Sequence, residues 1–156
     1  MQPKEIAILI GFILLCELAG VIGSLFTFPG IANWYAYLEK PAFTPPSWLF
    51  APVWALLYLL MGVSAYLIFR SKSPATRNAL SIFAVQLLLN VCWSFAFFGL
   101  FSSFYGFLVI MLLWAAIVLT ILYFYKISKP AAYLLIPYLL WVSFAMVLNY
   151  SIMVLN

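Results

Sequence analysis

Apolar residues run through this chain in five long, nearly unbroken blocks with brief polar interruptions. The blocks cover about residues 6–28, 48–70, 79–101, 104–126 and 131–154, each close to the ~20 residues that a helix needs to cross ~30 Å of hydrocarbon. None alternates at period two, so the strands of an outer-membrane barrel do not fit. Continuous helix is expected, because a backbone in lipid must satisfy its own hydrogen bonds. The predicted fold is therefore all-α: a polytopic membrane protein with a five-transmembrane-helix bundle, one domain over residues 1–156. The interruptions agree. "RSKSPATRN" (70–78) reads as a polar turn and "GLFSS" (99–103) as a tight connection. "KISKP" (126–130) ends one helix in lysines and opens the next at Pro130, where proline is tolerated. Pro137 inside the fifth block predicts a bend or a freed carbonyl. The connection 29–47 is different in kind, because "WYAYLEKPAFTPPSW" (34–48) is stiff and aromatic where a polar turn would suffice.

Composition sharpens this picture. The chain is 69% hydrophobic and 6% charged, against roughly half and a quarter in ordinary soluble domains. Its net charge of +4 comes from few, scattered residues and does not suggest nucleic acid. Cys16 and Cys92 lie inside apolar blocks and read as small buried hydrophobes. Histidine and aspartate are absent, which removes the Ser-His-Asp triad, His-based acid/base catalysis and most metal sites. The first block is longer than the core of a secretory signal, so it is predicted as a true span. With five spans, Lys4, Arg70, Lys72, Arg77, Lys126 and Lys129 collect on one side, and only Lys40 lies on the other, offset by Glu39. In a prokaryotic cell membrane this places the N-terminus in the cytoplasm and the 29–47 connection outside.

Polar and aromatic residues inside the spans share helix faces. Gln86, Asn90, Trp93 and Phe97 form one stripe, Trp54, Tyr58 and Met61 a second, and Tyr138, Trp141, Ala145, Leu148 and Asn149 a third. Apolar walls with a few placed polar atoms are the make-up of a ligand pocket. The competing reading is that the polar groups bond across helices and the rings form an interfacial belt, which suits Trp48, Tyr123 and Tyr125. Glu17, near the middle of the first block, is expected to be structural: protonated, hydrogen-bonded or facing an interior. Gly20, Gly23 and Ser24 read as a small-residue helix contact.

These residues resemble the TspO/translocator protein family, the tryptophan-rich sensory proteins of microbes and the peripheral-type benzodiazepine receptor of animals. The likeness is carried by "WYAYLEKPAFTPPSWLFAPVWALLYLLMG" (34–62), "QLLLNVCWSFAFF" (86–98) and "IPYLLWVSFAMVLNYSI" (136–152), in that order. It implies a bundle that is often dimeric, with a pocket capped by the first loop. The ligands it implies are porphyrins, including protoporphyrin IX and haem, and isoquinoline-carboxamide and benzodiazepine drugs. It also implies pocket residues at Tyr35, Pro45, Trp54, Gln86, Asn90, Trp141, Ala145, Leu148 and Asn149. The animal members' cholesterol motif ends in a basic residue; here Leu148 and Tyr150 are followed by "SIMVLN", without Lys or Arg.

The resulting expectation is a membrane sensor or regulator that binds porphyrin or another hydrophobic small molecule, with no obligatory cofactor, no bound metal and no enzymatic turnover beyond a light-driven porphyrin degradation implied by the family. A transporter or carrier of porphyrin or another lipophilic solute is the alternative, and a ligand-free membrane adaptor a third reading. Pro41, Pro45 and Pro46 restrict the 29–47 connection. It is expected to act as a lid, closed by Trp34 and Tyr35 and anchored by Trp48.

Overall fold

The computed structural model describes residues 2–156. Its regular structure among those residues is entirely helical: α1 (Pro3–Asn33), α2 (Phe50–Arg70), α3 (Thr76–Ser94), α4 (Ser103–Ile127), α5 (Lys129–Leu134) and α6 (Ile136–Leu155). α5 and α6 together make the fifth span, so five helical stretches are long and apolar enough to cross a membrane. Large apolar side chains such as Leu14, Leu25, Leu88, Leu112 and Leu140 point outward. Lipid tails accept that surface where water would not.

The helices overrun the predicted blocks for local reasons. At the start of α1, Glu5 accepts a hydrogen bond from the Gln2 amide at 3.1 Å and satisfies a free helix-end donor. Pro29 does not end α1, which continues to Asn33 and closes with the Trp34 amide on the Gly30 carbonyl at 3.1 Å. A proline removes one donor, and close packing of the following turn holds the helix together. The 29–47 connection therefore begins in helix, and only 34 onward is loop. Pro137 acts more strongly than a bend, since α5 stops at Leu134 and α6 starts at Ile136. At the end of α3 the backbone widens into a π-helical turn, Phe95–Gly99, with the Leu100 amide on the Phe95 carbonyl at 2.9 Å.

α1 changes partner along its length. In its first half it lies on α2: Phe12 and Phe69 rings are 5.4 Å apart and Glu5 pairs with Arg70 at 3.8 Å. In its second half it lies on α3 and the π turn, where Phe26 meets Phe95 at 5.2 Å and Gly30 leaves no room for a Cβ beside Phe98. The halves of α1 and α2 nearest the 34–48 loop therefore splay apart. α4 packs behind α3 and α6, and α5 rests on α2 and α4. Ser64 fixes the α2–α5 contact by donating to the Ala131 carbonyl at 2.7 Å.

The α1–α2 crossing depends on Gly62, where a Cβ would lie 2.5 Å from the Ile13 Cα and 2.9 Å from its amide nitrogen. Both are backbone atoms and cannot rotate away. Gly62→Ala is expected to destabilise the protein by about 1–3 kcal/mol through overpacking. Gly11→Ala, with nothing within 4 Å of the added Cβ, should be neutral or stabilising. Thermal unfolding of the two variants in one detergent checks the contrast.

Candidate ligand cavity

Where α1 leaves α2, the loop-side halves of α1, α2, α3 and α6 surround a cavity of about 330 Å³. Ligand pockets typically enclose ~300–1,000 Å³. Its base is a chain of buried hydrogen bonds. Tyr58 of α2 donates to Asn90 Oδ1 of α3 at 2.5 Å, and Asn90 Nδ2 donates to the Tyr138 hydroxyl of α6 at 2.9 Å. Tyr138 in turn donates to Gln86 Oε1 at 2.9 Å, and Gln86 Nε2 reaches Met61 Sδ at 3.8 Å. Each group donates once to the next, so the chain has one direction and leaves none of its members idle. The stripes of α2, α3 and α6 that share helical periodicity in the sequence are thus joined to one another across the bundle.

Above this base, rings form one continuous wall. Trp54 stacks on Tyr58 at 5.6 Å and meets Trp93 at 6.3 Å. Trp93 stacks on Phe97 at 5.7 Å, and Phe97 meets Phe98 edge-on at 4.8 Å. Tyr35 of the loop closes the series, 5.8 Å from Phe98 and 6.1 Å from Phe97. Ring pairs at such separations contribute about 0.5–1.5 kcal/mol each beyond their buried area. The π turn makes the wall possible, because it brings both Phe97 and Phe98 inward at successive positions. Opposite, α6 offers Ala145, Leu148 and Asn149; Asn149 accepts from the Trp93 indole at 3.3 Å and donates to the Ser103 carbonyl at 2.8 Å.

Of the residues singled out in the sequence, Tyr35, Trp54, Tyr58, Asn90, Trp93, Ala145, Leu148 and Asn149 line the cavity. Gln86 and Tyr138 do not. They lie beneath it, fully engaged in the hydrogen-bond chain. Trp141 also stands behind the wall, its ring against Phe50 at 5.8 Å and Phe144 at 5.6 Å, with its indole N–H buried and unpartnered. Pro45 lies in the loop away from the lining. Trp34, expected to help close the lid, instead packs on the outside of the wall against Phe97 at 5.2 Å and Phe101 at 6.0 Å. Trp48 is 72% exposed at the start of the second span.

Sequence reasoning missed the α1 side. Glu17, Gly20, Val21, Ser24, Phe28 and Ile31 line the cavity and recur at steps of three and four, which is one helix face. Gly20 matters sterically: a Cβ there would sit 2.5 Å from the Tyr58 ring. The signal is a stripe of small and polar residues in an apolar block, a pattern that helix packing alone also produces. The gap between the splayed halves opens the cavity sideways, with Val21 and Phe28 of α1 and Ala51 and Ala55 of α2 exposed along it.

The loop that roofs the cavity is tied down. Asn156 accepts from the Glu39 amide and donates to the Glu39 carbonyl, both at 3.0 Å, so the side chain clasps the loop to the end of α6. Lys40 holds its ammonium 2.9 Å from the Leu38 carbonyl and 4.9 Å from the centre of the Tyr35 ring. Burial pushes the Tyr35 phenol above its usual range, so it stays neutral at physiological pH.

Residues 12–155 match the sequence model described as the TspO/MBR family. A tryptophan-rich protein TspO of Chlorobaculum tepidum is 46% identical, covering 99% of this chain and 98% of its own. A protein of the same name from Archaeoglobus fulgidus is 44% identical, covering 95% and 96%. The translocator protein of Bos taurus is 38% identical, covering 90% and 85%.

Removing the Tyr138 hydroxyl tests the base of the cavity. Tyr138→Phe leaves Asn90 Nδ2 without its acceptor and Gln86 Oε1 without its donor. Two orphaned groups would cost several kcal/mol in a soluble core, but membrane hydrogen bonds average nearer 0.6 kcal/mol. The expected loss is about 1–2 kcal/mol in reversible unfolding from mixed micelles, whereas Tyr133→Phe, at an exposed ring, should change nothing measurable.

Proposed function

The chain belongs to the TspO/MBR family, and from that membership and the aromatic cavity we propose that it binds porphyrins and related flat hydrophobic ligands within the membrane, as a sensor or regulator of a tetrapyrrole or stress response. The observation that carries this reading is the unbroken ring wall from Tyr58 to Tyr35. A macrocycle is a large flat π surface, and stacking on Trp and Tyr faces is the contact that favours it over a bulky or branched hydrocarbon. The macrocycle lies against Trp54 and Trp93, and part of it extends into the gap between α1 and α2. Its carboxylates face the loop, toward Lys40, because every other basic side chain lies beyond the cavity's far end. The loop acts as the lid, with Tyr35 its inner surface.

Stacking, rather than iron ligation, supplies the affinity. The chain has no histidine, neither Cys16 nor Cys92 lines the cavity, and the lining tyrosines are weak axial candidates, with the Tyr58 hydroxyl already bonded to Asn90. Metal-free protoporphyrin IX should therefore bind at least as tightly as haem. The reading assigns no acid/base turnover, since the cavity pairs no general acid with a base. Sensing is preferred to ion-coupled transport because Glu17 is the one ionisable carboxyl of the spans' interior, where coupled carriers use paired groups. Flux of porphyrin across proteoliposomes would favour the carrier instead.

Two measurements test these statements. Trp54→Ala and Trp93→Ala are each expected to raise the Kd for protoporphyrin IX by about tenfold, from the loss of a stacking face and its buried area. Trp141→Ala, behind the wall, should change it far less. Quenching of tryptophan fluorescence reports all three, and unaltered affinity in the first two variants rejects the pocket. The orientation, with the N-terminus in the cytoplasm, predicts that an impermeant thiol reagent applied outside cells labels Glu39→Cys and spares Arg77→Cys.

A further inference from the structure

Among the described residues Glu17 is the one carboxyl on the cavity wall, and none of them pairs with it. It shares the inward stripe of α1 with Gly20, Val21 and Ser24 and stands on the same wall as Tyr58. Among the described residues the ion pair is Glu5 with Arg70, at the opposite end of α1. No described residue gives Glu17 a hydrogen bond or a cation; Cys16 and Tyr58 are its titratable neighbours. Tyr58 spends its hydroxyl proton on Asn90. All seven basic side chains lie outside the cavity. An ionised carboxyl at the centre of a span costs at least about 2.5–3.5 kcal/mol on insertion scales, so one that ionises there calls for a cationic partner. The described residues do not supply it, and the side chain lines the space where a ligand would lie.

We infer that Glu17 makes the deep end of the cavity a subsite for a protonated amine, carried on a flat aromatic body that stacks on Trp54 and Tyr58. An ammonium beside Glu17 forms a formally neutral, charge-assisted pair in a low-dielectric site. The faces of Trp54 and Tyr58 favour the same cation. A carboxylate at that depth meets a like charge and no base. The cavity is thus polar along its length: an acid at depth, and Lys40 beside Tyr35 at the loop. Amines enter head-first toward Glu17, while ligands bearing carboxylates keep them at the loop. This inference rests on the cavity being the ligand site proposed above.

The test compares 1-pyrenemethylamine with 1-pyrenemethanol, which share a ring system and differ in the charged head. Binding is read by quenching of tryptophan fluorescence in nanodiscs of zwitterionic lipid, with partitioning corrected by protein-free discs. The wild-type protein should prefer the amine by about tenfold or more, the range of a charge-assisted hydrogen bond. Glu17→Gln, which keeps the side chain's shape and removes its charge, should abolish that preference while the alcohol still binds, and an unchanged thermal unfolding midpoint shows that the variant is folded. A preference that survives in Glu17→Gln, or is absent in the wild type while protoporphyrin IX still binds, overturns the subsite alone. Failure of both pyrenes and protoporphyrin IX to quench overturns the ligand site with it.

Discussion

Unpaired polar groups are costly in hydrocarbon, and the hydrogen-bond chain Tyr58–Asn90–Tyr138–Gln86 answers that constraint for three helices at once. Lipid tails are as apolar as leucine, so burial alone gives little reason for one helix arrangement over another. Directional bonds supply the reason. They hold α2, α3 and α6 at a fixed spacing at one depth, set by side chains as long as tyrosine and glutamine. On the loop side of that depth the same three helices carry Ala145, Leu148 and aromatic rings, which leave room between the backbones. The cavity is the space that a long-armed junction leaves beyond itself.

α1 completes the enclosure without closing it. Gly62 lets it approach α2 closely through the first half, Gly20 leaves room for the Tyr58 ring near its middle, and Gly30 lets it approach the π turn in the second. A helix cannot follow both partners along its whole length, because their axes diverge. The sideways gap is the geometric remainder of that divergence. It needs no broken helix in α1, whose Pro29 lies above the change of partner rather than at it.

Much of this was legible in the sequence. Five apolar blocks fixed the span count, and the spacing of four between Gln86 and Asn90 put both amides on one face. The same spacing could not say that Gln86 would be consumed by Tyr138 while Asn90 also reached the cavity. That depends on the relative height of α3 and α6, a tertiary quantity. Trp141 shares a periodic stripe with Ala145 and Leu148 yet turns behind Phe50, because a stripe of about 100° is wide enough to hold both lining and backing positions. At helical spacing Phe98 lies off the stripe of Gln86, Asn90, Trp93 and Phe97, and the π turn brings it inward beside Phe97. The inward face of α1 was obscured by its own smallness, since glycine and serine announce close packing and cavity walls with the same letters. Glu17 was visible from the start, but whether it faced helix, lipid or an empty volume was not.

The open side of the cavity has a thermodynamic consequence. Hydrocarbon chains of the bilayer have access to the space between Val21, Phe28, Ala51 and Ala55, so any ligand there exchanges with acyl chains rather than with water. Most of the usual gain from burying apolar surface is then already spent when the ligand dissolves in the membrane. What remains to distinguish one solute from another is rigidity and ring-face contact: a flexible chain gives up conformational entropy to fill the slot, and a planar molecule has almost none to lose. If the cavity binds ligand as proposed, occupancy would follow the solute's mole fraction in the bilayer, and the aromatic wall would act as a filter for flatness against a solvent of disordered chains.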